Sequence, residues 1–147
     1  MDFWESLLSN KVLLVTLVAW CIAQVIKVII ASIKEKRFAL SCLVTMGGMP
    51  SSHTALVCAL ATSVAIVHGV GSTIFAIAAF LAIIVMLDAA GVRQTVSIQS
   101  TILNRMLDEL FKGKPAFEQR VRELIGHTKW EVIAGAALGI LFALVLA

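Results

Sequence analysis

The chain alternates four long apolar stretches with short polar connections. These stretches run over Val12–Ile33, Thr54–Val67, Ile74–Ala90 and Val132–Ala147. Because a membrane helix needs about 20 apolar residues to cross roughly 30 Å of hydrocarbon, the pattern predicts an all-α integral membrane bundle of about four transmembrane helices. The second and fourth stretches are short, which leaves an interfacial or partly re-entrant placement open for them.

The connections add one further helix and two turns. Within the long connection Gly91–Lys129, the segment Ile98–Phe111 places its apolar residues on one helical face; they are Ile98, Ile102, Leu103, Met106, Leu107 and Leu110. We predict an amphipathic cytoplasmic helix here, lying on the membrane or against the bundle and ended by Gly113 and Pro115. Turns are predicted at His68–Ser72 and at Gly91.

Composition supports one membrane domain over residues 1–147. The chain is 60% hydrophobic and 14% charged, with a mean hydropathy of +0.98, which excludes an ordinary soluble domain. The three cysteines are odd in number and lie in or near apolar segments, so no disulfide framework or zinc spacing follows. A net charge of +3 is accounted for by anionic lipid head groups and requires no nucleic acid.

Basic residues predict the orientation of the chain. Ten of the twelve Lys and Arg residues lie between positions 34 and 129, in the two connections that a four-span topology puts on the same side. The positive-inside rule assigns these connections to the cytoplasm. The ten residues are Lys34, Lys36, Arg37, Arg93, Arg105, Lys112, Lys114, Arg120, Arg122 and Lys129. We therefore expect a multi-pass protein of a bacterial-type plasma membrane.

Three polar clusters are brought to the cytoplasmic face by this topology. They are Gly47–His53, Asp88–Arg93 and Gly126–Glu131. Lys27, towards the cytoplasmic end of the first stretch, joins them. Ionisable groups at membrane depth are costly and are therefore usually functional, so the convergence predicts a binding or catalytic site.

The first cluster has the residues of an anion cradle. Its glycines allow a close backbone approach, and Pro50, Ser51, Ser52 and His53 stand at the start of an apolar helix, where unpaired N–H groups attract anions. The alternative is that Pro50 to Ser52 simply begin the helix and His53 is an interfacial residue. Both interpretations remain open on this motif alone.

The third cluster can be interpreted in two ways. His127 and Glu131 are four residues apart, so in a helix the carboxylate could orient the imidazole as a nucleophile. Thr128 and Glu131 also fit a capping box, in which Glu131 only bonds the start of a helix. In the second cluster, Arg93 could grip phosphate, or could pair with Asp88 structurally. Lys27 could likewise snorkel to the interface instead of binding a ligand.

These motifs resemble the type 2 phosphatidic acid phosphatase superfamily, which includes vanadium-dependent haloperoxidases. Its Pro-Ser-Gly-His motif is matched by Pro50–His53, with serine in place of glycine, and its His-x3-Asp motif by His127–Glu131, with Glu in place of Asp. The divergent branch of small membrane proteins is closer. Its pattern Gly-Gly-Met-Pro-Ser-Ser-His, Asp-Ala-x-Gly-Val-Arg, Leu-Asn and Gly-His-Thr-x-x-Glu-Val is met throughout, including Leu103–Asn104.

The resemblance implies a role for each matched residue. His127 would be the phosphorylated nucleophile, Glu131 would orient it, and His53 would protonate the leaving group. Phosphate would be bound by Gly48, Ser51, Ser52, Lys27 and Arg93, with Asp88, Arg37 and Asn104 in support; this list contains no metal ligand, and no cofactor is expected.

Two departures from the superfamily motifs concern cations. After six intervening residues, Lys27 is followed by Lys34 where the superfamily has Arg-Pro, with Arg37 three positions further on. Arg122 precedes His127 by five positions where the motif needs six. Arg93 is our candidate for the lost cation. Phosphoryl transfer depends on positioned positive charge, so these departures bear directly on catalysis.

Three functions follow from these residues. The first is metal-independent hydrolysis of a lipid phosphomonoester or diphosphate through a phosphohistidine. The second is non-catalytic binding of a lipid phosphate by a regulatory membrane protein. The third is a metal site formed by His53, Asp88, His127 and Glu131.

The last stretch also contains Gly135-x3-Gly139, a pattern that lets helices approach closely. It could join two copies in a homodimer or pack the helix within one chain.

Overall fold

All regular secondary structure in the described residues is helical. The computed structural model describes residues 2–36, 48–110 and 128–147. Its elements are α1 (Phe3–Leu8), α2 (Lys11–Glu35), α3 (Ser52–His68), α4 (Thr73–Leu87), a π-helical segment (Asp88–Val92), α5 (Arg93–Leu110) and α6 (Lys129–Leu146). The predicted all-α membrane bundle is confirmed.

Within residues 2–36, 48–110 and 128–147, three helices are long and apolar enough to cross a membrane. They cover Lys11–Lys34, Thr73–Gly91 and Lys129–Leu146. The fourth apolar stretch is therefore longer than predicted, because its helix begins at Lys129 instead of Val132. Helix α3 is apolar but has only 17 residues, which at 1.5 Å per residue gives about 25 Å. It is shorter than each of these three candidate spans.

Helix α3 lies at the centre, in contact with α2, α4 and α6. Its contact with α6 depends on two glycines, because a Cβ at Gly135 would overlap the carbonyl oxygen of Ser51 and one at Gly139 would overlap that of Ala55. The same four-residue step on both helices means that α3 and α6 run parallel. The Gly-x3-Gly pattern thus packs α6 within this chain, which is the second of the two alternatives predicted for it.

The turn predicted at Gly91 is wrong. Residues Asp88–Val92 form a π-helical segment that continues α4 directly into α5. Gly91 does not need a special conformation, and its missing Cβ faces open space. A turn at the end of a span would expose backbone N–H and C=O groups, whereas helical continuation keeps most of them paired. Backbone hydrogen bonding here overrides the low helix propensity of glycine.

Helix α5 is largely exposed, and both of the buried side chains that the structure describes on it are polar. Ser100 and Asn104 are each only 7% exposed. The exposed large apolar side chains of this helix are Ile98, Ile102, Leu103, Met106 and Leu110. The charged residues Arg105, Asp108 and Glu109 are exposed as well, so the buried positions are polar while the exposed surface is mixed. The predicted amphipathic helix is confirmed, with an earlier start at Arg93; its predicted end at Phe111, Gly113 and Pro115 lies outside the described residues.

Candidate functional site

Three polar segments meet at one end of the bundle. Helices α3 and α4 form an antiparallel hairpin, so the start of α3 and the end of α4 lie at the same end. The backbone N–H of Ser51 donates to the carbonyl oxygen of Glu131 at 3.0 Å, which fixes the start of α6 beside the start of α3. The π-helical segment, which begins at Asp88, also contacts α6.

Lys27 is buried beneath the loop that leads into α3. It is only 5% exposed, although it carries an ammonium group and lies in a membrane-spanning helix. Its stem packs against Gly48, where a Cβ would stand 3.2 Å from Cε of Lys27. Gly48 also has a φ of +93°, a conformation that favours glycine. The lysine therefore does not snorkel to solvent, and it lies under the backbone of the glycine motif.

Ser51 is the N-cap of α3 and is completely buried. Its Oγ accepts hydrogen bonds from the backbone N–H of Thr54 at 3.4 Å and from the hydroxyl of Thr54 at 3.0 Å. Ser52, the first residue of the helix, is also buried. The helix-start interpretation of this motif is therefore correct for the side chain of Ser51, which the cap already uses.

The backbone at this helix start remains suited to an anion. Ser52 and His53 occupy the first two helical positions, whose N–H groups have no acceptor within an α-helix, and the positive end of the helix dipole lies there. The side chain of His53 is exposed. We name Lys27, Gly48, Ser51 and Ser52 the phosphate cradle, after the ligand predicted for them from the sequence: they provide a buried cation, a close-approach glycine and a capped helix start.

Glu131 takes part in a capping box at the start of α6. Its carboxylate accepts from the backbone N–H of Thr128 at 3.1 Å, and the hydroxyl of Thr128 accepts from the N–H of Glu131 at 3.3 Å. Thr128 is thus the N-cap, and the helix begins at Lys129. The capping interpretation of Glu131 is therefore confirmed, while its pairing with His127 stays a prediction. His127 itself lies outside the described residues.

The variant Glu131→Gln separates capping from orientation. Glutamine also completes a capping box, so we expect a change in thermal stability below about 0.5 kcal/mol. If the carboxylate also orients His127, the rate of phosphate release falls about 100-fold, the lower range for a positioned acid or base. Thermal unfolding and phosphate release, measured beside Thr128→Ala as the variant that removes the cap, check both parts. An unchanged rate would leave Glu131 with the capping role only.

The structure describes only some of the remaining predicted site residues. Asp88 is half-buried at the first position of the π-helical segment, and Asn104 is buried on α5. Arg93 is the first residue of α5, but its side chain lies outside the described part of the chain, as does all of Arg37. Over residues 2–36, 48–110 and 128–147, no three His, Cys, Asp or Glu side chains are grouped to hold a metal ion; the metal alternative also needs His127.

Two polar residues near the site escaped the sequence analysis. Thr54 is completely buried and its hydroxyl supports the Ser51 cap. Ser100 is buried one turn before Asn104, and its hydroxyl donates to the carbonyl oxygen of Val96 at 2.9 Å. The sequence contains a signal for each of these residues, namely the three-residue step from Ser51 to Thr54 and the four-residue step from Ser100 to Asn104. Both steps align side chains on one helical face.

Comparison with known proteins identifies the family. The model of the divergent PAP2 family matches residues 8–142, a range that contains the phosphate cradle, the π-helical segment and the capping box. The chain belongs to the divergent PAP2 family. A relative from Bacillus subtilis (strain 168), an uncharacterized membrane protein called YuiD, is 40% identical over 153 aligned residues, which cover 97% of each chain. The predicted family resemblance is confirmed.

The region that the family model matches contains nearly all of the helices described above. The matched region begins within α1 and ends within α6. The relative is named as a membrane protein, in agreement with the three candidate spans. No solved structure matches the chain.

Proposed function

We propose that this protein hydrolyses the phosphate of a membrane lipid, a phosphomonoester or a diphosphate, through a phosphohistidine intermediate at the cytoplasmic face. The observation that carries the proposal is the phosphate cradle. A lysine buried in a membrane-spanning helix is costly unless it serves an anion or a partner, and this one lies beneath the glycine loop that leads into a helix N-terminus. Family membership and the matched motifs support a phosphatase-related role.

The proposed chemistry has two steps. A ring nitrogen of His127 attacks phosphorus, the bond from phosphorus to the lipid oxygen breaks, and His53 donates a proton to that oxygen. Water then attacks the phosphohistidine, its proton returns to His53, and inorganic phosphate leaves while His127 is regenerated. The exposure of His53 suits an acid that must exchange protons with water between turnovers. Lys27 and the N–H groups at the start of α3 would stabilise the charge on the transferring phosphoryl group.

A second candidate is a binding protein that retains the cradle without turnover. The capping box favours it, because the carboxylate of Glu131 is already bonded to the backbone of Thr128. The missing motif cations favour it as well, since binding needs less positioned charge than transfer does.

Phosphate release from purified protein in detergent tests the proposal. A panel of lipid phosphates and diphosphates is incubated with and without a chelator, beside His127→Ala. We expect release that resists the chelator and disappears in the variant, because a metal-independent phosphohistidine requires the imidazole. Acid-labile radioactive labelling of wild-type protein, absent from His127→Ala, would identify the intermediate.

Other results would redirect the assignment. Release that the chelator abolishes would favour the metal site. No release from any lipid, together with binding of inorganic phosphate that depends on Lys27, would establish the binding protein in place of the enzyme.

A further inference from the structure

An apolar groove runs along the bundle between α3, α4 and α6. Its volume is about 370 Å³, within the range of roughly 300–1,000 Å³ that is usual for ligand sites. Alanines and larger apolar side chains, among them Phe75, Ile83 and Ile140, form its walls, and Cys58 and Met86 lie at the end nearer the candidate site. The groove belongs to the apolar part of the bundle, so its occupant is drawn from the membrane.

The polar atoms along the groove are already bonded within the chain. The hydroxyl of Thr62 donates to the carbonyl oxygen of Cys58 at 2.8 Å, and the thiol of Cys58 donates to the sulfur of Met86 at 3.8 Å. An occupant therefore has no hydrogen bond to gain from these groups. Burying a polar group here without a partner would cost several kcal/mol, so the groove selects hydrocarbon.

The dimensions of the groove fit one hydrocarbon chain better than a helix. Its lining extends from Cys58 to Ala65 on α3 and from Phe75 to Met86 on α4, which at 1.5 Å per residue is about 10–16 Å. The volume then corresponds to a cross-section of roughly 20–40 Å². A hydrocarbon chain about 5 Å across occupies about 20 Å², whereas a helix at least 10 Å across needs about 80 Å².

The groove and the phosphate cradle both include residues of α3, with the cradle at the start of this helix and the groove further along it. Cys58 is about 9 Å along α3 from Ser52, from six residues at 1.5 Å each, and Met86 is two residues before Asp88. A lipid with its phosphate in the cradle would therefore have its tail directed along α3 towards the groove.

We propose that this groove binds an acyl chain of the substrate lipid and so favours lipids with a long hydrocarbon tail over water-soluble phosphates. The inference rests on the proposed function, because the head group is positioned by the cradle. A narrow apolar slot beside the head-group site holds the tail without recognising any polar feature of it. The protein would then distinguish lipid phosphates from water-soluble phosphates by the tail alone.

Photo-crosslinking tests the occupant directly. Phosphatidate with a diazirine in its acyl chain is added to the protein in nanodiscs of phosphatidylcholine, and the labelled peptides are mapped. We expect labels on the groove residues of α3 and α4, competed by unlabelled phosphatidate and not by additional phosphatidylcholine. Ala79→Leu, which fills the groove, should reduce the labelling about tenfold. Ala76→Leu, the same change at an exposed position of α4, should leave it unchanged.

Activity provides a separate measurement. In the proposed enzyme, Ala79→Leu lowers the release of phosphate from long-chain phosphatidate and leaves release from a water-soluble phosphomonoester unchanged, while Ala76→Leu affects neither. If neither substrate is hydrolysed but the competed label persists, the proposed hydrolysis fails and the groove assignment stands. If both are hydrolysed equally by wild type and Ala79→Leu, the groove assignment fails and the hydrolase stands.

Two outcomes would overturn the acyl-chain assignment. Labelling that phosphatidylcholine competes as well as phosphatidate would mean that only bulk lipid fills the groove. Disulfide-linked dimers formed through Ala79→Cys, together with loss of the label, would mean that a second copy of the chain occupies it.

Discussion

Replacing Gly139 with alanine is expected to destabilise the bundle by about 1–3 kcal/mol, the usual cost of overpacking. The new Cβ would overlap the carbonyl oxygen of Ala55. The obstacle is helical backbone, which cannot rotate aside as a side chain does, so α3 and α6 must separate. Gly139→Leu should prevent recovery of folded protein altogether. Thermal unfolding in detergent, followed by size-exclusion chromatography, measures both effects.

Gly91→Ala is the matched control for this prediction. It makes the same chemical change at a helical glycine whose Cβ position faces open space, so alanine should be tolerated or slightly stabilising there. Equal unfolding temperatures for Gly139→Ala and Gly91→Ala would contradict the close contact between α3 and α6. Gly135→Ala should resemble Gly139→Ala in stability and should also disturb the site, since its Cβ would overlap the carbonyl oxygen of Ser51.

Replacing Lys27 with methionine is expected to weaken phosphate binding about 10–100-fold while the protein remains folded. Methionine preserves most of the unbranched stem that packs under Gly48 and removes only the charged end. A hydrogen bond to a charged group contributes about 1.5–3 kcal/mol, which corresponds to this range of affinity. Calorimetric titration with inorganic phosphate measures the loss. Lys34→Met is the control, because Lys34 lies on the same helix two turns later and is exposed; equal affinities in the two variants would remove Lys27 from the cradle.

A second pair of variants tests Lys27 without changing its charge. Gly48→Ala and Gly69→Ala both place a side chain on a backbone with positive φ, +93° and +81°, so each should cost about 1–3 kcal/mol of stability from backbone strain. Only the Cβ at position 48 would press on Cε of Lys27, whereas that at position 69 meets nothing. Phosphate affinity should therefore fall several-fold in Gly48→Ala alone. A similar loss in Gly69→Ala would assign the effect to stability.

Hydropathy predicted the helices well because the thickness of the bilayer fixes the length of each span. It placed the span ends within three residues of those observed for α2, α4 and α6. The helix N-caps can also be predicted from the sequence, because Ser51 and Thr128 precede helices and each has a suitable hydrogen-bonding partner three residues later. These features depend on local sequence, so one sequence is sufficient to predict them.

Other features depend on contacts between distant residues, which a pattern does not specify. The Gly-x3-Gly step shows that a helix approaches Gly135 and Gly139 closely, but not whether that helix is α3 or belongs to another copy. Periodicity in α5 defines two faces without saying which face meets the protein; the residues that are buried in the structure are the polar Ser100 and Asn104. The capping role of Glu131 and the burial of Lys27 were likewise open alternatives until the helices were placed.

The parallel contact of α3 with α6 has a consequence for biosynthesis. During translation α3 leaves the ribosome well before α6. The backbone N–H of Ser51 nevertheless donates to an acceptor on α6. The glycines that allow the close contact between the two helices also belong to α6. Helices associate laterally after they have been inserted into a bilayer. The surface of α3 that contacts α6 therefore lacks this partner until α6 has been synthesised and inserted. Ser51, the capping member of the phosphate cradle, therefore reaches its final surroundings only when α6 docks, so the candidate site assembles late in synthesis.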